Sequence, residues 1–306
     1  MNIKRILPTL MVLAVFLALW GYASSEDYFQ EKPEKKEGTP LFKGLKPGEI
    51  TSIAMEEKGK VRWKLDREEG KWMFKEPRPL PVDPVMVESW VQSFTELKGV
   101  EVVQKHPDAP GKYGLDQPQK RYRVTLENGK NILLAVGDSL PVEDGRYIRK
   151  DGKGPILRIG TGEIGFLDKK PLHLMKKEVV QVQEDLIKVF SVRWEESTLK
   201  AKKKKDDWKL ENGKDAHDPD KLDGLFTDLT MLKAENLARP ADDFKNGDPE
   251  LEMEFTSEKG KKVLFYGNRK DDQVWIWKKE GKWAYPVAVS SVEDAIKEVK
   301  KKKEEK

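Results

Sequence analysis

Between residues 87 and 97 the apolar side chains fall at Val87, Trp90, Val91, Phe94 and Leu97. That spacing, i, i+3, i+4, i+7, i+10, is the stripe of an amphipathic helix with one buried face. Asp83 and Pro84 precede it. A short carboxylate there can accept an orphan backbone N–H, and proline suits the first helical position. The same pattern returns 135 positions later, with Asp218 and Pro219 before Leu222, Leu225, Phe226, Leu229 and Leu232. Matched apolar positions behind a matched cap mark an internal repeat.

Upstream of each helix the chain reads strand, turn, strand, turn, Trp-bearing strand. Ser52-Ile53 and Glu56-Glu57 match Ser191-Val192 and Glu195-Glu196, and Trp72 matches Trp208. Turn signals stand at Lys58-Gly59 and Glu69-Gly70 in the first copy and at Asn212-Gly213 in the second. Downstream, alternating Tyr122, Val124 and Leu126 lead into Asn128-Gly129 and then Ile132 to Val136, a strong hairpin signal. The second copy offers Leu251, Met253 and Phe255, a Lys259-Gly260 turn, and Val263 to Tyr266. Two more strands follow in each copy, around 146–149 with 156–159 and around 274–277 with 283–287. Short strands joined by tight turns predict antiparallel sheets, not alternating strands and crossover helices. The expected fold class is α+β: two tandem repeats, 45–180 and 187–290, each an antiparallel sheet packed with one or two helices. A Lys/Glu-rich helical tail is expected over 291–306.

The N-terminus sets the expected compartment. Lys4-Arg5 precede an uncharged stretch of 18 residues from Ile6 to Ala23. As a helix it would span about 27 Å, close to a hydrocarbon core of about 30 Å. Trp20 and Tyr22 fall at its far end, where interfacial aromatics belong. Residues 1–25 are thus expected to form a single transmembrane anchor. The alternative is a cleaved signal peptide, with Gly21-Tyr22-Ala23 placing small residues before the cut. Both readings put the body on the extracytoplasmic side of the membrane. Residues 26–44 read as a polar tether.

Composition narrows the chemistry. Charged residues make up 37% of the chain, against about 25% for an average soluble domain. Basic and acidic residues number 58 and 54, so the near balance singles out no anionic polymer, and no nucleic-acid partner is expected. Cysteine is absent, which excludes disulfides, thiolate nucleophiles and Cys-ligated zinc. His106, His173 and His217 stand apart, without the spacing of a zinc site, and no metal is expected. No G-x-S-x-G elbow occurs. Gly160 to Gly165 fits G-x-G-x-x-G, with Glu184 and Asp185 about 20 residues on. Pro171 would interrupt the helix that a dinucleotide site needs, so this segment reads as a softened turn and no cofactor is expected. Glu56 and Glu57, adjacent on a strand, point to opposite faces and form no acid/base couple. The runs Lys202–Lys205 and Lys300–Lys303 read as a solvated edge and tail. No catalytic residue is assigned.

Tryptophan is the remaining lead. Trp72, Trp90 and Trp208 sit at repeated or striped positions and read as core. Trp275 and Trp277 alternate and share one sheet face. That face is either buried or, if solvated, a flat platform for sugar rings or a partner protein, and it is the candidate binding surface.

Several of these pieces together resemble a known family: Ile50 to Ile53 after the N-terminal span, the Trp-bearing strand before the Asp-Pro helix, Tyr113-Gly114-Leu115-Asp116-Gln117-Pro118, and Val136-Gly137-Asp138. The chain is similar to the bacterial family called domain of unknown function 4340. The likeness covers about residues 45–180 and, as a second copy, 187–290. There Phe244-Lys245-Asn246-Gly247-Asp248-Pro249 and Gly267-Asn268 replace the signature segments. The resemblance implies an envelope-anchored protein, in some bacteria encoded beside ABC-type transporter subunits, and it carries no activity or catalytic residue. The expectation is a non-enzymatic, membrane-anchored binding or scaffold protein, accessory to the integral membrane subunits of an ABC-type transport system. The alternative is a glycan- or cell-wall-binding module using Trp275 and Trp277.

Overall fold

The computed structural model describes residues 40–98, 101–142, 144–205, 207–211 and 219–300. The expected span with Ile6, Trp20 and Tyr22, the cap Asp218, His217 and the Asn212-Gly213 turn lie outside the described residues. No helix among the described residues is long and apolar enough to cross a membrane.

Two antiparallel sheets of eight strands each form the body. The first holds β1 (Ile50–Glu57), β2 (Lys60–Glu68), β3 (Lys71–Glu76), β4 (Glu101–Gln104), β5 (Lys120–Leu126), β6 (Asn131–Ser139), β7 (Arg146–Lys150) and β8 (Ile156–Ile159). The second holds β9 (Ile187–Trp194), β10 (Ser197–Lys204), β11 (Asp207–Leu210), β12 (Arg239–Pro240), β13 (Leu251–Ser257), β14 (Lys262–Lys270), β15 (Gln273–Lys278) and β16 (Trp283–Ala288). Their orders are β3-β2-β1-β5-β6-β7-β8-β4 and β11-β10-β9-β13-β14-β15-β16-β12. One order is the other shifted by eight strands, so the two halves share a topology. The helices are α1 (Pro84–Thr95), α2 (Thr161–Gly165), α3 (Pro171–Leu174), α4 (Pro219–Thr230) and α5 (Val289–Lys300).

The striped helices fold as their spacing dictates. Asp83 accepts from the N–H groups of Val85 and Met86 at 3.0 and 3.1 Å, and Val87, Trp90, Val91 and Phe94 are buried. In α4 and just beyond it, Leu222, Leu225, Phe226, Leu229 and Leu232 are buried. Each such side chain contributes about 1.5–3 kcal/mol by leaving water. Trp63 meets Trp90 edge-on at 5.3 Å, and Trp90 stacks near Phe94 at 5.5 Å. Their indole N–H groups donate to Lys169 O and Leu167 O, at 2.6 and 2.9 Å. The segment after β8 therefore closes the core and satisfies its buried donors at once. Trp72 and Trp208 are buried as well.

Sequence and structure part in several details of the fold. Strands β4 and β12, one after each long helix, were not expected; each is short and completes a sheet edge beside β8 or β16. The repeat register also shifts. Ile53 pairs with Val124 and Phe190 with Phe255, so Ile53 corresponds to Phe190, two residues before the matched Val192. A slip of two keeps every side chain on its face, which is why the apolar pattern concealed it. In consequence Glu195-Glu196 is a turn following β9, whereas Glu56-Glu57 ends β1. Finally, Val292, Ala295 and Ile296 of α5 are buried, so the C-terminal helix packs into the core there, while Lys301, Lys302 and Lys303 lie outside the described residues.

The halves are not beads on a string. Met175 to Val180 runs extended between them, with Met175, Val179 and Val180 buried. On one side it bridges to Val82, and Lys176 N–H donates to Pro81 O at 2.9 Å. On the other it bridges Lys233, with Val179 N–H to Leu232 O at 3.1 Å and Ala234 N–H to Lys177 O at 2.8 Å. One apolar cluster consequently runs from Phe42 to Ile296 through both halves.

Candidate functional site

The outer faces of the sheets, opposite the helices, carry the segments that the sequence singled out. In the first half a single 3-10 turn, Pro110–Tyr113, delivers Tyr113 to the outer face. Its ring meets Tyr147 edge-on at 4.8 Å, and its hydroxyl donates to Gln104 Oε1 at 3.0 Å. Leu115 packs with Ala135 and Ile156 in a small cluster separate from the main core. Gly114 has φ 67°, and a Cβ there would lie 2.5 Å from an Asp138 carboxylate oxygen. A Cβ on Gly137 would collide with the backbone carbonyl oxygen of Tyr113. The Tyr-Gly-Leu-Asp-x-Pro and Gly-Asp segments thus meet at one corner, where small residues permit close backbone approach.

The second half rebuilds this corner with different side chains. Phe244 takes the place of Tyr113 and stacks on Trp275, centroids 4.4 Å apart with planes 11° from parallel. Asn268 replaces the close approach at Gly137. Its Nδ2 donates to Phe244 O at 2.9 Å, and its Oδ1 accepts from Glu250 N–H at 3.1 Å. Register makes Gly137 equivalent to Asn268 rather than to Gly267, since Lys120 pairs with Val136 and Leu251 with Gly267.

Trp275 and Trp277 do not form an open platform. Their relative exposures are 9% and 4%, and they form a buried cluster with Ala241, Phe244 and Ala284. Val274 and Ile276 face the main core from the same strand. The run is therefore buried on both faces, the outer one by the loop that carries Phe244. What remains accessible beside Trp277 is a groove of about 610 Å³ shared with Tyr266, Arg193, Glu252, Lys245 and Asp248. Arg193 spans part of it, donating to Glu252 at 3.0 Å and to Pro249 O at 3.2 Å.

The other sequence leads fall elsewhere. The glycine segment opens α2, a helix of five residues, and β7 pairs antiparallel with β8, so the phosphate-binding geometry of a βαβ unit is not formed. The Glu163 carboxylate lies against Gly160 at the start of that helix. His106 is exposed and His173 half-buried. His173 Nδ1 accepts from Lys170 N–H at 3.2 Å, and burial with nearby Lys169, Lys177 and Lys170 holds its protonation below the ordinary range. Among the described residues no three of His, Asp and Glu converge as metal ligands.

Sequence reading passed over the cross-strand ion pairs on the outer faces. Glu56 lies opposite Arg121 and Arg193 opposite Glu252. The signal was the alternation of charge with apolar residues along β5 and β13, visible only once the register is known.

The family described as domain of unknown function (DUF4340) matches residues 72–252. That single span starts in β3 and ends in β13, so it crosses both sheets instead of falling once on each. No curated protein and no solved structure matches the chain.

Proposed function

The chain belongs to the family described as domain of unknown function (DUF4340), and from that membership we propose that it is a non-enzymatic scaffold protein. In this reading residues 1–25 form a single-span membrane anchor and the two sheets are tandem copies of one unit on the extracytoplasmic side. The partners are integral membrane subunits of an ABC-type transport system, a class that comes from the family resemblance and not from a site.

The observation that supports the reading is the stitching of Met175–Val180 to both halves. A scaffold must hold two surfaces at a fixed spacing, and a buried connector bonded on each side does that where a free linker would not. Strand addition at an open sheet edge is one docking mode that such a body offers. A crosslinked, detergent-solubilised pull-down of the full-length protein, with a chain lacking residues 1–25 as control, tests it. Recovery of permease or ATPase subunits with the full-length chain is expected; recovery of the protein alone would sink the reading.

A glycan-binding role is the second reading. Its support is the groove beside Trp277, where an aromatic pair, Tyr266 and Trp277, adjoins Arg193 and Glu252. Replacing Tyr266 by Ala should then abolish retention on cell-wall material while leaving the fold intact, and unchanged retention would remove the idea.

A further inference from the structure

Two equivalent turns open on a left-handed residue of opposite charge. The β1–β2 turn opens on Lys58 and the β9–β10 turn on Glu195, both left-handed, with φ 49° and 53°. Lys58 N–H donates to Gln119 O at 2.8 Å, and Glu195 N–H donates to Glu250 O at 2.9 Å. The strand pairs Glu56–Arg121 and Arg193–Glu252 extend the match. Lys58, Gln117, Gln119 and Arg121 therefore stand where the second half has Glu195, Asp248, Glu250 and Glu252.

The second half answers its own acids. Arg269 reaches Glu195 at 3.2 Å and Glu250 at 3.9 Å, and Arg193 holds Glu252 at 3.0 Å. In the first half Asp138 occupies the position of Arg269. An inverted network would use that carboxylate as the internal anion, but it is turned against Gly114. Glu56 is the acid that remains. It binds Arg123 at 2.8 Å and stands 4.0 Å from Arg121. Lys58, Gly59, Gln117, Pro118, Gln119 and Arg121 line a groove of about 380 Å³, and its charged side chains are both cationic.

We propose that this groove binds a phosphate group, with the Lys58 ammonium, the Arg121 guanidinium and the Gln117 and Gln119 carboxamides as donors. The bound oxyanion would do for the first half what Arg269 does for the second, with the sign reversed. Donors converging from a turn and a strand suit a tetrahedral oxyanion, and guanidinium contributes directional paired bonds. Because the site is open to water, binding is expected to weaken with added salt.

The test is a titration of the full-length protein in detergent with inorganic phosphate at constant ionic strength, followed by the amide resonances of Lys58 and Gln119. Saturable shifts are expected that sodium chloride does not reproduce. The double substitution Lys58→Gln with Arg121→Gln should weaken binding by at least about tenfold through loss of two charge-assisted contacts. Lys209→Gln, which removes one exposed cation from β11, should leave it unchanged. Equal shifts in chloride, or wild-type affinity in the double variant, would overturn the proposal. A second arm adds phosphatidylglycerol to the micelles. Competition for the same shifts identifies a lipid headgroup as the source, and absence of competition identifies a soluble phosphate.

Discussion

Phe244 lies flat on Trp275, ring centroids 4.4 Å apart, and this contact turns an apparent binding face into a second, smaller core. The loop 241–249 is held on the sheet by that pair and by Asn268 beneath it. Removing the phenyl ring should cost about 3–5 kcal/mol, the usual range for a buried Phe→Ala. Chemical denaturation of Phe244→Ala checks the value; a loss below about 1 kcal/mol would mean that the loop is held by something else.

The two corners predict unequal tolerance at equivalent positions. Asn268→Ala leaves Phe244 O and Glu250 N–H without their side-chain partner, a loss of about 1–3 kcal/mol. Gly137→Ala asks for more, since the new methyl meets the backbone oxygen of Tyr113 and not a flexible side chain. It should destabilise more than Asn268→Ala in the same denaturation series. The reverse order would contradict the close-approach account.

How much of this was legible beforehand depends on the kind of information each residue carries. The stripe Val87 to Leu97 and its copy fix helices because burial every three to four residues has few other solutions. The Asn128-Gly129 and Lys58-Gly59 turns fix hairpins for the same local reason. The fate of Trp275 was not local. Whether its face is wet or dry depends on Phe244, more than thirty positions earlier and brought over it by a loop without periodicity. Register had the same limitation: Val192 looked like Ile53 because a two-residue slip alters neither face nor composition. The charge inversion between Lys58 and Glu195 became visible only after that slip was corrected.

Met175 is buried and accepts the N–H of Ala238 at its sulfur, 3.3 Å away, while its neighbours bond to the first half. Met175→Ala should therefore lower the stability of the whole body by about 2–5 kcal/mol. The expected signature is a single unfolding transition displaced to lower denaturant. If only one sheet's tryptophans respond, the connector belongs to one half and the stitching account is wrong.

Alkali should unfold the protein through two buried phenols. Burial, helped by the Asp168 charge, pushes the Tyr122 hydroxyl well above its ordinary value. Burial and the Glu178 charge push Tyr285 up to about 12. Both groups favour the neutral form in the fold, so their contribution is complete below the unfolded-state value of about 10. It is lost as pH rises through the folded-state value, about 12 for Tyr285. Stability measured across that interval should fall with a slope that Tyr285→Phe makes shallower. An unchanged slope would show that the phenol is solvated.

The central claim is that the two sheets form one rigid body. The chain has no cysteine, so introduced thiols can be labelled without background. Lys130 and Lys261 are exposed and close equivalent hairpins, β5–β6 and β13–β14. Spin labels on Lys130→Cys and Lys261→Cys in the full-length protein report the spacing of the halves by pulsed dipolar spectroscopy. A single narrow distance distribution is the predicted result, and a broad or multimodal one would contradict it.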